Sequence, residues 1–220
     1  LASALALPST AENQAPDTPN FTGVWQVLNT ANDSLEAHPG RAAQVMQPGP
    51  AGPVPIKALV SLGAVGAIPP GLGVVEGGEI PYRESALAQR EENRRNWVTA
   101  DPEVRCYLPG IPRATYMPYP FQIVQNKDAL LFSYASWMGQ SWARWDGDTL
   151  VIETTGQNSS TWFDRSGNYH SDKLKVTERF TRTSEHTLHY SATMEAPDIF
   201  TRPWTISMPL YRRVRADETL

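Results

Sequence analysis

Apolar and polar residues alternate along three stretches in the last third of the chain. Leu174, Val176 and Phe180 share one parity, Leu188, Tyr190, Ala192 and Met194 a second, and Trp204, Ile206, Met208 and Leu210 a third. Side chains on a strand point to alternate faces, so each row lines one face and the three should share one interior. Lys173–Thr183 and Thr187–Glu195 flank the turn Ser184-Glu-His, and Trp204–Val214 supplies the next strand. Upstream, Phe121–Gln125 and Ala129–Ala135 flank Asn126-Lys-Asp, while Trp142–Trp145 and Thr149–Thr155 flank Asp146-Gly-Asp. Both spacings read as hairpins. With Phe21–Leu28 the count is about eight strands, which predicts a mainly β domain: an antiparallel up-and-down barrel or a strongly curved sheet.

Two segments break the pattern. Thr30 to Pro81 is rich in Pro, Gly and Ala and keeps no period of 2 or 3.6. A stretch this long inside a compact domain reads as a lid, a wrapping arm or an assembly segment. Glu84–Asn96 (ESALAQREENRRN) predicts the one short helix, with good helix formers and a largely solvated face. At the start, Leu1–Leu7 (LASALAL) reads as the end of a signal-peptide apolar region, followed by a polar leader to Asn20. The expected organisation is a signal remnant and leader over 1–20, then a single β domain over 21–220. The expected compartment is periplasmic or secreted.

Composition narrows the partners. The 220 residues carry a net charge of −4, so there is no basic footprint for nucleic acid or an anionic membrane. No apolar run approaches the ~20 residues of a membrane span. The longest weakly polar stretch, Val54–Val75, is broken by Gly63, Gly66, Pro69, Pro70, Gly71 and Gly73. A single cysteine, Cys106, excludes an internal disulfide framework and has no neighbouring His to activate it. No nucleophile elbow, phosphate loop or dinucleotide fingerprint occurs, and no cofactor is expected.

Two resemblances arise from particular residues. Phe21-Thr-Gly-Val-Trp25 resembles the Gly-x-Trp opening of lipocalin-like (calycin) barrels, which implies a tryptophan plugging the closed end. A longer series of blocks resembles a family of uncharacterised exported bacterial proteins. These are Asp101–Arg113 (DPEVRCYLPGIPR), Met117–Gln125 (MPYPFQIVQ), Trp137-Met-Gly, Trp145–Val151 (WDGDTLV), Thr161–Ser171 (TWFDRSGNYHS), Val176–Phe180 and Phe200–Arg213 (FTRPWTISMPLYRR). That resemblance implies export but no activity. It also implies a further Arg-containing strand between Tyr134 and Trp137 and another strand past Leu220; their absence from this sequence means either a shortened protein or omitted segments.

Glu178 is the polar exception on an inward row. A buried, charged and unpaired carboxylate costs several kcal/mol, so Glu178 needs either a raised pKa, as a general acid or base, or a cation such as Arg144 or Arg182. The loop from Asn158 to Asp172 should lie at one rim of the sheet. There His170 could act as proton-transfer group with Asp164 or Asp172 fixing its tautomer, and Trp162 and Tyr169 could stack on a substrate ring. The alternative is a plain polar connection with His170 exposed. Arg113, with Tyr116 and Tyr119, sits in a Pro-rich approach that could present an anion or phenol site, or form a packed strap. Arg144 could stabilise an anion or simply decorate a strand surface. Tyr190 lies on the inward row beside Glu178. His186-x-x-His189 does not place both rings on one strand face, and no metal site is expected.

The leading expectation is a cofactor-independent lyase, isomerase or hydrolase working by acid–base catalysis on a small apolar or aromatic molecule. Its catalytic groups would be Glu178, His170, Asp164 and Arg144, and its ligand contacts Trp162, Tyr169, Arg113, Tyr119 and Tyr190. A carrier for an apolar ligand needs the same interior without a tuned pair. An assembly role would use 30–81 to clasp a second copy in a homo-oligomer.

Overall fold

The structure, a computed structural model, describes residues 18–42, 46–47, 49–52, 54–55, 67–106, 109–126, 130–133 and 140–214. The Leu1–Leu7 leader, the middle of the 30–81 arm, the Trp137-Met-Gly block and the Cys106 side chain lie outside the described residues.

Eight antiparallel strands form one strongly curled sheet. They are β1 (Gly23–Gln26), β2 (Phe121–Gln125), β3 (Leu130–Ser133), β4 (Gln140–Asp146), β5 (Thr149–Thr155), β6 (Lys175–Ser184), β7 (Thr187–Glu195) and β8 (Trp204–Arg212). Their spatial order is β3-β2-β1-β8-β7-β6-β5-β4. This is the order of an up-and-down barrel cut open between β3 and β4, so the expected curved sheet is present and its two edges are consecutive strands. The three inward rows are buried as the alternation requires, from Leu174 to Phe180, Leu188 to Met194 and Trp204 to Leu210.

Register stacks the inner face into layers. Trp145, Leu150, Phe180, Tyr190 and Met208 form one, and Ala143, Ile152, Glu178, Ala192 and Ile206 the next. The first is closed by aromatic contact: Phe132 of β3 reaches Phe180 at 5.1 Å, and Phe21 reaches Trp145 at 5.4 Å. The second holds two alanines, whose short side chains leave room for the carboxyl of Glu178. Trp25 is buried, and its indole N–H donates to the Phe21 carbonyl at 2.8 Å, which satisfies its one polar atom.

Helix α1 (Glu84–Ala100) runs one turn past the expected Asn96 because Trp97 is buried against Trp162. Pro102 then ends it, since the residue before a proline is forced out of helical geometry, and Asp101 is extended. A second, short helix α2 (Pro102–Cys106) and a 3-10 turn (Arg113–Tyr116) follow, both absent from the sequence expectation.

The two ends of the 30–81 arm pack on their own chain. Ala31, Leu35, Val75 and Ile80 belong to the core. Beyond the point where β1 pairs with β8, Glu76 N donates to Thr205 O and Ser207 N to Val74 O, each at 2.8–2.9 Å. His38–Ala42 and Ala67–Gly71 run back antiparallel as a ribbon. Among the described residues no helix is long and apolar enough to cross a membrane.

Candidate functional site

Glu178 projects from the middle of β6 into the curled face and is 2 % exposed. Its Oε1 accepts from the Tyr190 hydroxyl at 2.7 Å and from the Thr115 hydroxyl at 3.3 Å. Its Oε2 makes no hydrogen bond to a described residue. Burial raises the Glu178 pKa to about 7, against the two hydroxyls, which favour the ionised form. Its titration is therefore moved from the acid range toward neutral pH, where a carboxyl can both take and return a proton. Tyr190 reaches it diagonally from β7, where it lies opposite Phe180.

Neither expected cation pairs with Glu178. Cross-strand partners share a face, and Glu178 lies opposite Ile152, which lies opposite Ala143. Arg144, one residue on, therefore points outward, and it is exposed beside Trp142. Arg182 is spent on the backbone carbonyls of Asn20, Ser184 and Glu185 at the strand end.

The rim loop is built differently from the sequence expectation. His170 is buried rather than exposed, and both ring nitrogens are occupied: Nε2 with the Thr161 hydroxyl at 2.8 Å and Nδ1 with the Ser171 carbonyl at 2.9 Å. A carbonyl only accepts, so Nδ1 carries the proton and Thr161 donates to Nε2. Burial lowers the His170 pKa to about 4 and holds it neutral. Asp164 does not serve the imidazole; it accepts from the amides of Leu35, Ser166 and Asn168 and from the Asn168 side chain. Its burial raises its pKa to about 6. Trp162 packs on Trp97, and the Tyr169 hydroxyl donates to the Ala86 carbonyl at 3.2 Å, so both hold α1 rather than face Glu178. Tyr119 is substantially exposed.

Arg113 is fully buried and fully engaged. It binds Asp101 in bidentate fashion at 2.8 and 2.9 Å, Glu103 at 2.7 Å and the side-chain amide oxygen Oδ1 of Asn32 at 2.7 Å. Arg165 grips Glu103 from the other side at 2.8 and 2.9 Å and also reaches Asp33. Burial pulls the Arg113 pKa down, but Asp101 and Glu103 outweigh it and leave it raised. Glu103 is pushed up by burial and brought below its ordinary range by Arg113 and Arg165. This network ties together the arm, the α1–α2 junction, the 3-10 turn and the rim loop, so Arg113 is not an open anion site.

Asp101, Glu103, Arg165, Asn32 and Thr115 escaped sequence reasoning. The one available signal was Asp101-Pro-Glu, a helix start in which the Asp101 carboxylate caps the Glu103 amide, at 2.9 Å here. Cavities of about 430, 620 and 180 Å³ are bounded by the arm at Leu28 and Pro69–Val74, by Glu36 with Arg90, and by Arg83 with Phe200. Glu178 lines none of these three. Among the described residues no three His, Cys, Asp or Glu side chains gather as a metal-holding group. His189 bonds Ser207 on the outer face, and His186 lies at the turn beside Glu185.

The fold and site define a curled antiparallel β domain with one tuned carboxyl on its concave face. Comparison with protein-family models, curated proteins and solved structures returned no match.

Proposed function

We propose that this protein is an acid–base enzyme that works without a cofactor on a small apolar or aromatic molecule, with Glu178 as its proton-transfer group and Tyr190 as the hydrogen-bond donor that steadies it. The observation that carries this reading is the carboxyl itself: buried, without a guanidinium partner, with a pKa of about 7 and one oxygen free of hydrogen bonds to described residues. Two structural carboxylates buried in the same molecule are saturated, Glu103 by two guanidinium groups and Asp164 by four N–H donors, whereas Glu178 holds two hydroxyls on a single oxygen. The layer around it offers Ala143, Ile152, Ala192 and Ile206, which suits an uncharged, apolar substrate. Approach from the β3–β4 opening is supported by Ala143, which is exposed although it shares the inner face with Glu178. Export and a lipocalin-like relationship belong to the same reading and rest on the sequence blocks.

The test is a thermal-shift screen of substituted phenols, aromatic ketones and aromatic lactones, followed by NMR of each binder incubated with protein. Turnover by the native protein that falls at least a hundredfold in Glu178→Gln supports the enzyme. Binders that shift both proteins equally and are never converted overturn it in favour of a carrier.

A further inference from the structure

The turn Arg113–Tyr116 joins the two buried polar systems. Its first residue is locked in the Asp101–Glu103–Asn32 cage, its third donates to Glu178, and its fourth donates to the Phe163 carbonyl at 2.7 Å. All four residues are buried, and a 3-10 turn has little freedom to move one side chain without the next. We propose that Arg113 is a positioning residue for Glu178: the ionic cage sets the height of the turn, and so sets how closely the Thr115 hydroxyl approaches the carboxyl. This deepens the acid–base reading of the same site by naming what regulates its proton affinity.

The geometry favours this over a cage that only binds segments together. At 3.3 Å the Thr115 bond is long beside the 2.7 Å bond from Tyr190, so it is the adjustable one of the pair. Arg113 holds three partners from two chain segments, the α1–α2 junction and the arm, with fork geometry, which resists rotation as well as translation. The titratable groups facing Glu178 among the described residues are Tyr190 from β7 and Tyr116 from the turn; β5 presents Ile152. Among the described residues no charged side chain acts on Glu178 that would mask a change in the Thr115 bond.

The experiment is the titration midpoint of Glu178, read by side-chain carboxyl NMR in native protein and variants. Thr115→Val removes the donor and should raise the midpoint by about half a pH unit. Arg113→Lys, which keeps the charge and loses the fork, should raise it similarly, and the double variant should add nothing further. Asn32→Ala, a milder loosening of the cage, should move it in the same direction and serves if Arg113→Lys does not fold. Leu188→Ala, destabilising but two layers away on β7, should leave the midpoint alone. A folded cage variant with an unmoved midpoint, or additive effects in the double variant, overturns the positioning role. The measurement needs no substrate, so it can fail while turnover is found, or succeed while turnover is not.

Discussion

Glu178, Asp164 and His170 are three buried groups whose charge the fold suppresses, and they act on stability with opposite signs. Glu178 moves from an ordinary value of 4.5 to about 7, and Asp164 from 3.8 to about 6. Each binds its proton more tightly when folded, so its contribution is complete below the unfolded value and is lost as pH rises through the folded one. His170 moves from 6.5 down to about 4. Its contribution is present above pH 6.5 and is lost as the pH falls through 4. The Glu178 part separates cleanly by substitution. Native protein should lose on the order of 2 to 3 kcal/mol relative to Glu178→Gln between pH 5 and pH 8, measured by urea unfolding at both. An equal difference at the two values would mean that the carboxyl titrates as if in water.

Among the elements, the strands were the readable part. Phe121–Gln125, Thr149–Thr155 and Thr187–Glu195 match their expected bounds, because alternation is a local property and a one-residue slip would expose a whole row. Glu178 stood out for the same reason, as a polar residue on an apolar parity. The run of α1 past Asn96 is not readable locally, because burial of Trp97 by a distant tryptophan carries the helix on as far as the stop at Pro102. Nor was the cage around Arg113, whose members are scattered from Asn32 to Arg165 and meet only once the sheet has curled. His170 reads either as a proton-transfer group at a pocket mouth or as an exposed loop residue, because nothing local shows that Thr161 and Phe163 enclose it. The docking of the rim loop on α1 yields an element-level prediction. Gly167 has φ +85°, and a Cβ there would fall 2.5 Å from Arg94 N and 2.8 Å from Arg90 O, backbone atoms of the helix. Gly147, at φ +60° in the β4–β5 turn, has nothing within 4 Å of the same position. Gly147→Ala should therefore cost about 1 kcal/mol, the left-handed penalty alone, and Gly167→Ala distinctly more. Equal midpoints in chemical denaturation would mean that the loop does not seat on the helix.

At the scale of the molecule, the sheet and the arm solve one problem together. A short β1 leaves the far half of β8 without a partner, and an unpaired strand edge invites pairing with another chain. The arm answers this by laying Val74–Glu76 along β8, with the Val75–Ile206 bridge in register and Val75 in the core. Its other side is held too, since Val74 N donates to the Leu35 carbonyl while the Leu35 amide is held by Asp164. The expectation that this arm clasps a neighbouring subunit therefore meets a competing internal site, and the two differ in how they depend on concentration. An intramolecular strand pair keeps its protection on dilution, whereas an exchanged one loses it as the assembly dissociates. Hydrogen exchange of the Val74 and Glu76 amides should accordingly be slow and unchanged across a hundredfold dilution, with β6 and β7 slower still. Protection that fades on dilution would transfer the arm to a second copy, and the β8 edge would then be an interface.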